Sequence, residues 1–366
     1  MDTLLGITFD LWKKVLKDNH FQVDTRYLSR ALKLTVISLY NSRMKKKEDH
    51  LFGERLQQVT IDCPPIFIVG HWRSGTTLLH NLFALDDQFI YPNLYEVSNP
   101  YTFLTQEDVI AHRLENRKAR KRPMDNVMVA YNSPAEDEFA INNMCLLSPI
   151  MGWSFPRRED DYDRYLTFKG ASAEERTQWK TVLKTFLKKL ILRYGNRQLV
   201  LKSPTHTARI ALLLELFPNA RFIHIHRNPY VVFRSTQKLY QTAVPLSHLQ
   251  RPIPEKINEG IIKRYRLMYD AFFEDVDLIP KDHFLETSFE RLEREPIVVM
   301  EQIYRHFQLS GFDALFPKLE RYVQSMKSYK KNVHAPLPPA LRDRIREQWG
   351  KCFEAWGYEI YSSVEG

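Results

Sequence analysis

Short apolar runs alternate with amphipathic stretches through the middle of this chain. The apolar runs at 66–69, 199–201 and 221–225 have the length of buried strands, and a helical pattern follows each of them. A further short strand is predicted near 284–286. Because strands and helices alternate with short links, the crossovers should be right-handed and the sheet parallel. We therefore expect an α/β fold with a doubly wound central parallel sheet flanked by helices.

The first 60 residues have a different pattern. Apolar residues recur at helical spacing over 4–16 and 31–40, and the second stretch ends in the basic cluster 43–47. This pattern predicts a helical amino-terminal arm over 1–60 that precedes one domain over 61–366. A helix with an apolar face and a lysine-rich face suits contact with a membrane surface, and it suits packing on the core equally.

The first predicted strand runs directly into the loop Gly-His-Trp-Arg-Ser-Gly-Thr-Thr at 70–77, and a helix pattern follows. Gly70 and Gly75 stand at P-loop spacing, where backbone N–H groups and the positive end of a helix dipole point at an anion. A nucleotide triphosphatase would carry lysine directly after the second glycine, whereas this chain has Thr76 there and places Arg73 inside the loop. We predict a P-loop-like phosphate cradle whose chemistry differs from ATP hydrolysis.

Two more polar clusters follow predicted strands. Lys202 comes directly after the run at 199–201, and Arg227 follows the next strand, with Ser235 eight residues later. Because ligands bind at the carboxyl ends of the strands in doubly wound sheets, we expect both clusters to line one crevice with the cradle.

The composition narrows the choice of partner and compartment. The 366 residues are 44% hydrophobic and 27% charged, with a formal net charge of +9. This positive charge suits a polyanionic small molecule or an anionic membrane surface as a partner, and it points less specifically to nucleic acid. The three cysteines form no CxxC pair, so neither a disulfide framework nor a zinc site is expected. With no signal-peptide layout and no long apolar run, a cytoplasmic location is predicted.

Taken together, the cradle and the two clusters resemble the sulfotransferases that use 3′-phosphoadenosine 5′-phosphosulfate, in particular the bacterial branch related to tyrosylprotein and to lipid or steroid sulfotransferases. The resemblance covers about 65–358. It implies that Arg227 and Ser235 hold the 3′-phosphate and that Lys202 contacts the group being transferred. It also assigns the 5′-phosphosulfate to five consecutive cradle residues, which are Arg73, Ser74, Gly75, Thr76 and Thr77.

The chain departs from the cytosolic members of that family at two positions. Leu78 replaces the tryptophan that stacks on adenine, and Pro204 stands where those members have a histidine base. The base must therefore be sought elsewhere, and Glu96 resembles in placement the glutamate base of tyrosylprotein and carbohydrate sulfotransferases. Three other residues stay candidates for the base, namely Glu136, Glu138 and His206.

The resemblance implies sulfuryl transfer from the nucleotide donor to a hydroxyl, with release of 3′,5′-ADP. Negative charge develops on the 5′-phosphate oxygen, and Arg73, Lys202 and the cradle can neutralise it, so no metal is expected. Two alternatives from other classes are a P-loop kinase, which would need Mg²⁺ and ATP, and a non-catalytic anion-binding protein at a membrane surface.

The segment 89–169 is not required by the donor motifs, and we expect it to form a lid over the acceptor. It is rich in aromatic residues, which favours an apolar pocket and hence a sterol, steroid or other lipid-like alcohol, with a phenol second and a carbohydrate third. Two basic runs, 113–122 and 329–334, are predicted to be a solvated helix or loop and a loop, respectively.

Overall fold

The computed structural model describes residues 2–115, 118–326 and 336–359 of the chain, so the run 329–334 lies outside the described residues. The strands are β1 (Ile66–Val69), β2 (Phe89–Ile90), β3 (Arg120–Lys121), β4 (Met128–Val129), β5 (Gln198–Lys202), β6 (Arg221–His226) and β7 (Phe284–Ser288). The helices are α1 (Phe9–Asp18), α2 (Leu28–Gln58), α3 (Thr76–Phe83), α4 (Leu94–Ser98), α5 (Phe103–Glu115), α6 (Glu138–Cys145), α7 (Met151–Ser154), α8 (Glu159–Thr167), α9 (Ala173–Tyr194), α10 (Ile210–Leu216), α11 (Pro229–Thr242), α12 (Pro254–Asp275), α13 (Phe289–Arg294), α14 (Pro296–His306), α15 (Phe312–Met326) and α16 (Pro339–Ala355).

Five strands form one parallel sheet in the order β2-β5-β1-β6-β7, and β3 pairs with β4 in a separate antiparallel hairpin. The register places Ile66 of β1 beside Val200 of β5 and Arg221 of β6. The three strands that precede the polar clusters are therefore adjacent at the centre of the sheet. Their carboxyl ends, and the clusters that follow them, meet at one edge.

Alternate residues of the central strands enter two separate cores, because successive side chains of a strand point to opposite faces. One core contains Phe67, Val69, Leu201 and Phe222 and is closed by α9, α12 and α16. The other contains Ile66, Ile68, Val200 and Ile223 and is closed by α3, α14 and α15. Helices thus cover both faces, which confirms the predicted doubly wound α/β architecture.

The segment expected to form a lid begins differently from the prediction. Phe89 and Ile90 are the edge strand β2, paired with Gln198 and Leu199, and so belong to the sheet. A strand of two residues is too short to show any periodicity, which is why the sequence pattern does not reveal it.

The segment predicted to be an arm, 1–60, contains α1 and α2, and α2 is much longer than the predicted stretch 31–40. The basic cluster continues the helix because lysine and glutamate are good helix formers and because Lys45 pairs with Asp49 one turn later. Leu4, Ile7 and Trp12 of the arm pack into a cluster with Met151 and other residues around α7. Among the described residues, no helix is long and apolar enough to cross a membrane.

Candidate active site

The cradle is a tight turn between β1 and α3 that requires left-handed backbone at three positions. The φ angles are 144° at Gly70, 72° at Arg73 and 102° at Gly75. A Cβ added at Gly75 would lie 2.3 Å from the ring of Phe289, and one at Gly70 would lie 2.3 Å from the carbonyl oxygen of Ile225. Glycine is therefore required at both positions for conformation and for space.

The structure brings Arg73, Arg227 and Ser235 together although they follow two different strands. The Nε atom of Arg73 donates a hydrogen bond of 2.8 Å to Oγ of Ser235 in α11. Arg227 donates to the carbonyl oxygen of Arg73 at 3.2 Å, and its guanidinium lies 4.1 Å from the ring centroid of Phe289. The residues expected to hold the 5′-group and the 3′-group of the donor therefore form one connected cluster.

A carboxylate from the β3–β4 hairpin lies against the cradle arginine. Asp125 accepts a hydrogen bond of 2.9 Å from Arg73 and two more, of 3.0 and 2.6 Å, from Arg122. Burial would raise the pKa of the Asp125 carboxyl, but the two arginines outweigh that effect and lower it. The sequence predicts a solvated run over 113–122, but the Arg122 side chain is only 18% exposed and pairs with Asp125, so the prediction is wrong for Arg122. The side chains of 113–117 lie outside the described set.

Sequence reasoning missed the pair Asp125 and Arg122 as members of the site. Nothing in the local pattern marks them, because the contact that defines their position spans 52 residues. The signal that could have suggested a site here is the excess of arginine and lysine just before a lone aspartate, but such runs are more often solvated.

Lys202 lies at the carboxyl end of β5 and is buried, with a side chain 3% exposed. Its Nζ atom contacts Oε1 of Glu136 at 2.7 Å, and the Glu136 side chain keeps 17% of its surface exposed. Burial lowers the pKa of Lys202, and the field of Arg122 lowers it further, whereas Glu136 raises it. Glu136 is thus the acidic partner of the expected catalytic lysine.

The two residues that follow Glu136 have other partners. His206 contacts Asp137 at 2.6 Å, and both side chains are fully buried. Glu138 is held by Arg209 through two hydrogen bonds of 2.7 and 2.9 Å. Both His206 and Glu138, which are alternative candidates for the base, are therefore already paired in the protein interior.

Glu96 is placed in a helix-capping arrangement at the start of α4. Its Oε2 atom accepts from the backbone N–H of Asn93 at 2.7 Å, and its Oε1 atom accepts from the hydroxyl of Tyr194 at 2.7 Å. Burial raises the pKa of the Glu96 carboxyl to about 7. Its described partners lie on α4, α9 and the turn before α4, so its role as the base stays a prediction.

An apolar cleft lies next to the cradle. It is small, about 20 Å³ in volume, and its apolar lining comes from Trp72, Ile150, Trp153, Leu239 and Ile261. His71, Thr236, Tyr240 and Arg264 also line it. Burial also lowers the pKa of the neighbouring His71 to about 4, so this imidazole is neutral at pH 7. Several other aromatic residues of 89–169 are core residues instead, namely Phe89, Phe103, Phe155 and Phe168.

A profile of the sulfotransferase family matches residues 64–314, which include the cradle, Lys202 and Arg227. The chain belongs to the sulfotransferase family. It is 34% identical over 358 residues to the omega-hydroxy-beta-dihydromenaquinone-9 sulfotransferase Stf3 of Mycobacterium bovis and to the protein of the same name from Mycobacterium tuberculosis. The match covers 98% of this sulfotransferase and 92% of each relative. The protein is thus an enzyme, and the kinase alternative is set aside.

Two solved structures share the fold of this sulfotransferase. The mycobacterial sulfotransferase STF1 of Mycobacterium tuberculosis superposes with a TM-score of 0.64 at 17% identity, covering 95% of this chain and 94% of that chain. STF9 of Mycobacterium avium gives a TM-score of 0.66 at 17% identity, with 97% of both chains covered. At this identity the likeness concerns the fold alone.

We predict that Asp125→Ala increases the affinity of this sulfotransferase for inorganic sulfate by about tenfold, which corresponds to about 1.4 kcal/mol. The carboxylate competes with an anion for Arg73, and its removal ends the competition. Thermal-shift titration with sulfate measures the effect, with Asp10→Ala as the control because Asp10 is exposed and pairs with Lys13. Unchanged or weaker sulfate binding in Asp125→Ala would contradict the prediction.

Proposed function

We propose that this enzyme transfers the sulfuryl group of 3′-phosphoadenosine 5′-phosphosulfate to the hydroxyl of an apolar acceptor, a lipid-like alcohol such as a sterol, and releases 3′,5′-ADP. One observation carries the proposal. The cradle places its cation, Arg73, inside a P-loop-like turn and joins it by a hydrogen bond to Ser235, with Arg227 bound to the same residue. Two arginines and a serine gathered at such a turn suit a nucleotide with phosphate on both the 5′ and 3′ sides.

In this proposal the cradle residues bind the 5′-phosphosulfate, and Arg227 and Ser235 bind the 3′-phosphate. The turn can accept such a group because its backbone is shaped by Gly70 and Gly75 and because it opens at the amino end of α3. Arg73 and Lys202 then offset the negative charge that develops on the leaving 5′-phosphate oxygen. In kinases Mg²⁺ supplies this stabilisation, and here we propose that side chains supply it without a metal.

We predict that 3′,5′-ADP raises the melting temperature of the wild-type enzyme more than 5′-AMP does, because only 3′,5′-ADP has the 3′-phosphate that Arg227 and Ser235 would bind. Arg227→Ala should reduce that difference to nearly nothing. Lys318→Ala is a suitable control because Lys318 pairs with Asp87 at an exposed position. If Arg227→Ala still separates the two nucleotides in a thermal-shift titration, the assignment of the 3′-phosphate is wrong.

For the general base, the geometry favours Glu136 over Glu96. Both carboxylate oxygens of Glu96 accept hydrogen bonds within the α4 cap and from Tyr194. Glu136 is partly exposed and contacts Lys202, the lysine expected at the transferring group. We propose that Glu136 accepts the acceptor's hydroxyl proton as the new oxygen–sulfur bond forms and the bond from sulfur to the 5′-phosphate oxygen breaks.

We predict that Glu136→Gln lowers kcat by roughly 10²- to 10⁴-fold while the affinity for 3′,5′-ADP changes little. Glu96→Gln is the matched comparison, since it removes a carboxylate from the α4 cap, and its kcat should fall much less. Steady-state rates of sulfated product and 3′,5′-ADP titrations measure both quantities. A large loss in Glu96→Gln with a near-normal Glu136→Gln would return the role to Glu96.

The acceptor class is inferred from the cleft and from the relatives. The cleft next to the cradle combines indole and aliphatic side chains with the polar groups of His71, Thr236, Tyr240 and Arg264, a mixture that suits an apolar molecule with a hydroxyl. The relatives that are 34% identical are named for a hydroxylated dihydromenaquinone, a lipid. Both observations support a lipid-like alcohol ahead of a phenol or a carbohydrate.

We predict that a long-chain alcohol or a sterol gains a mass corresponding to SO₃ faster than a phenol or an oligosaccharide does when all are offered together with the donor. Mass spectrometry of the mixture measures the competition, and the enzyme with Arg73→Ala serves as the background. Preferential labelling of the oligosaccharide would contradict the proposal that the acceptor is apolar, but it would still agree with sulfotransferase activity.

We also propose a cytoplasmic enzyme in which residues 1–60 are an arm attached to a transferase domain over 61–366. Three free cysteines, two of them buried, support a reducing compartment.

A further inference from the structure

Helix α2 exposes a row of large apolar side chains on one face. The row consists of Leu28, Leu32, Val36, Leu39 and Tyr40, which are between 50 and 67% exposed. At 100° per residue these five positions fall within an arc of about 120°. The opposite side of the helix is buried, with Leu34, Ser38, Asn41 and Glu48 facing the protein. Contiguous exposed apolar surface of this kind marks an interaction site.

The same face becomes basic toward the carboxyl end of the helix. Arg43, Lys46 and Lys47 are exposed and fall within the same arc as the apolar row, one to two turns farther along. The acidic residues of this region are occupied elsewhere, because Glu48 pairs with the buried Lys189 at 2.5 Å and Asp49 pairs with Lys45. We call this surface the exposed face of α2, and it consists of Leu28, Leu32, Val36, Leu39, Tyr40, Arg43, Lys46 and Lys47.

We propose that the exposed face of α2 binds the surface of an anionic lipid bilayer. The apolar turns enter the boundary between headgroups and acyl chains, and the arginine and lysines contact lipid phosphates. The helix lies in the plane of the membrane and does not cross it. Charge complementarity selects this partner, because a bilayer offers an apolar layer and an anionic layer side by side.

A second copy of the chain is a poorer partner for the same face. If two α2 helices paired in parallel, Arg43, Lys46 and Lys47 of each would meet their own counterparts, and like charges repel. If they paired antiparallel, these cations would lie against the apolar row of the other copy. Neither arrangement gives favourable partners to both the apolar row and the basic residues.

The packing of the arm connects this surface to the acceptor cleft, and this step rests on the proposed function. Leu4, Ile7 and Trp12 share a cluster with Met151 and Phe155, which flank Trp153 in and after α7. Trp153 lines the cleft next to the cradle. The arm thus fixes the orientation of the cleft relative to the membrane in which a lipid-like alcohol resides.

The experiment compares binding to vesicles of phosphatidylcholine alone and of phosphatidylcholine with phosphatidylglycerol, measured by flotation. The wild-type enzyme should bind the anionic vesicles at least about tenfold more strongly. The double variants Leu32→Glu with Val36→Glu and Lys46→Gln with Lys47→Gln should each lose at least about tenfold of that binding. Leu278→Glu is the matched control, because Leu278 is 56% exposed outside the arm, and it should bind as the wild type does.

Melting temperatures near that of the wild type establish that the variants are folded. The proposal would be overturned if the wild-type enzyme did not bind anionic vesicles, or if either double variant bound them as strongly as the wild type does. So would a wild-type dimer in sedimentation velocity that Leu32→Glu with Val36→Glu converts to a monomer, since the occupant would then be a second copy. Sulfation of a water-soluble short-chain alcohol tests the proposed function separately, because it requires no membrane and all these variants should retain it.

Discussion

The site depends on three consecutive acidic residues, 136–138, each of which pairs with a different basic side chain in or after β5. Glu136 contacts Lys202, Asp137 contacts His206, and Glu138 contacts Arg209. Removing one partner from a buried pair leaves an uncompensated charge and costs about 3–5 kcal/mol. The inner two pairs are fully buried, so they hold the segment after the hairpin rigidly against the sheet. Glu136, the outermost of the three, is thereby fixed beside Lys202 while it stays open to the crevice.

Two carboxylates pair with three cations at and near the cradle. Asp125 lies against Arg73 and Arg122, and Glu136 lies against Lys202. A buried cation is tolerated only when it is paired, so these contacts keep the cluster ordered. A polyanionic donor would offer the same cations stronger partners and release both carboxylates. On the proposed function, donor binding therefore frees Glu136 from Lys202 at the moment when a proton acceptor is needed.

The sequence predicts those parts of the site that lie in consecutive residues. The loop 70–77 is recognisable because glycine spacing, strand and helix are all local, and the alternating apolar runs predict the parallel sheet. The position of Asp125 depends on a contact across 52 residues, and no local pattern encodes it. The choice between Glu96 and Glu136 as the general base also cannot be made from the local sequence. Both lie in the segment 89–169, and the fold gives them different partners, which are the α4 cap for Glu96 and Lys202 for Glu136.

The contacts of the arm indicate which of its surfaces is available to a partner. A helix that only covered the core would bury its apolar residues, yet α2 leaves its longest apolar row outside and turns Glu48 inward to the buried Lys189. Burying that ion pair has a desolvation cost, and the arm therefore attaches through specific contacts as well as through apolar packing. The arm also contacts the region around α7, whose Trp153 lines the cleft at the cradle. Leu34, on the buried side of α2, belongs to the same packed cluster as Met151 and Phe155, which flank Trp153 in the sequence.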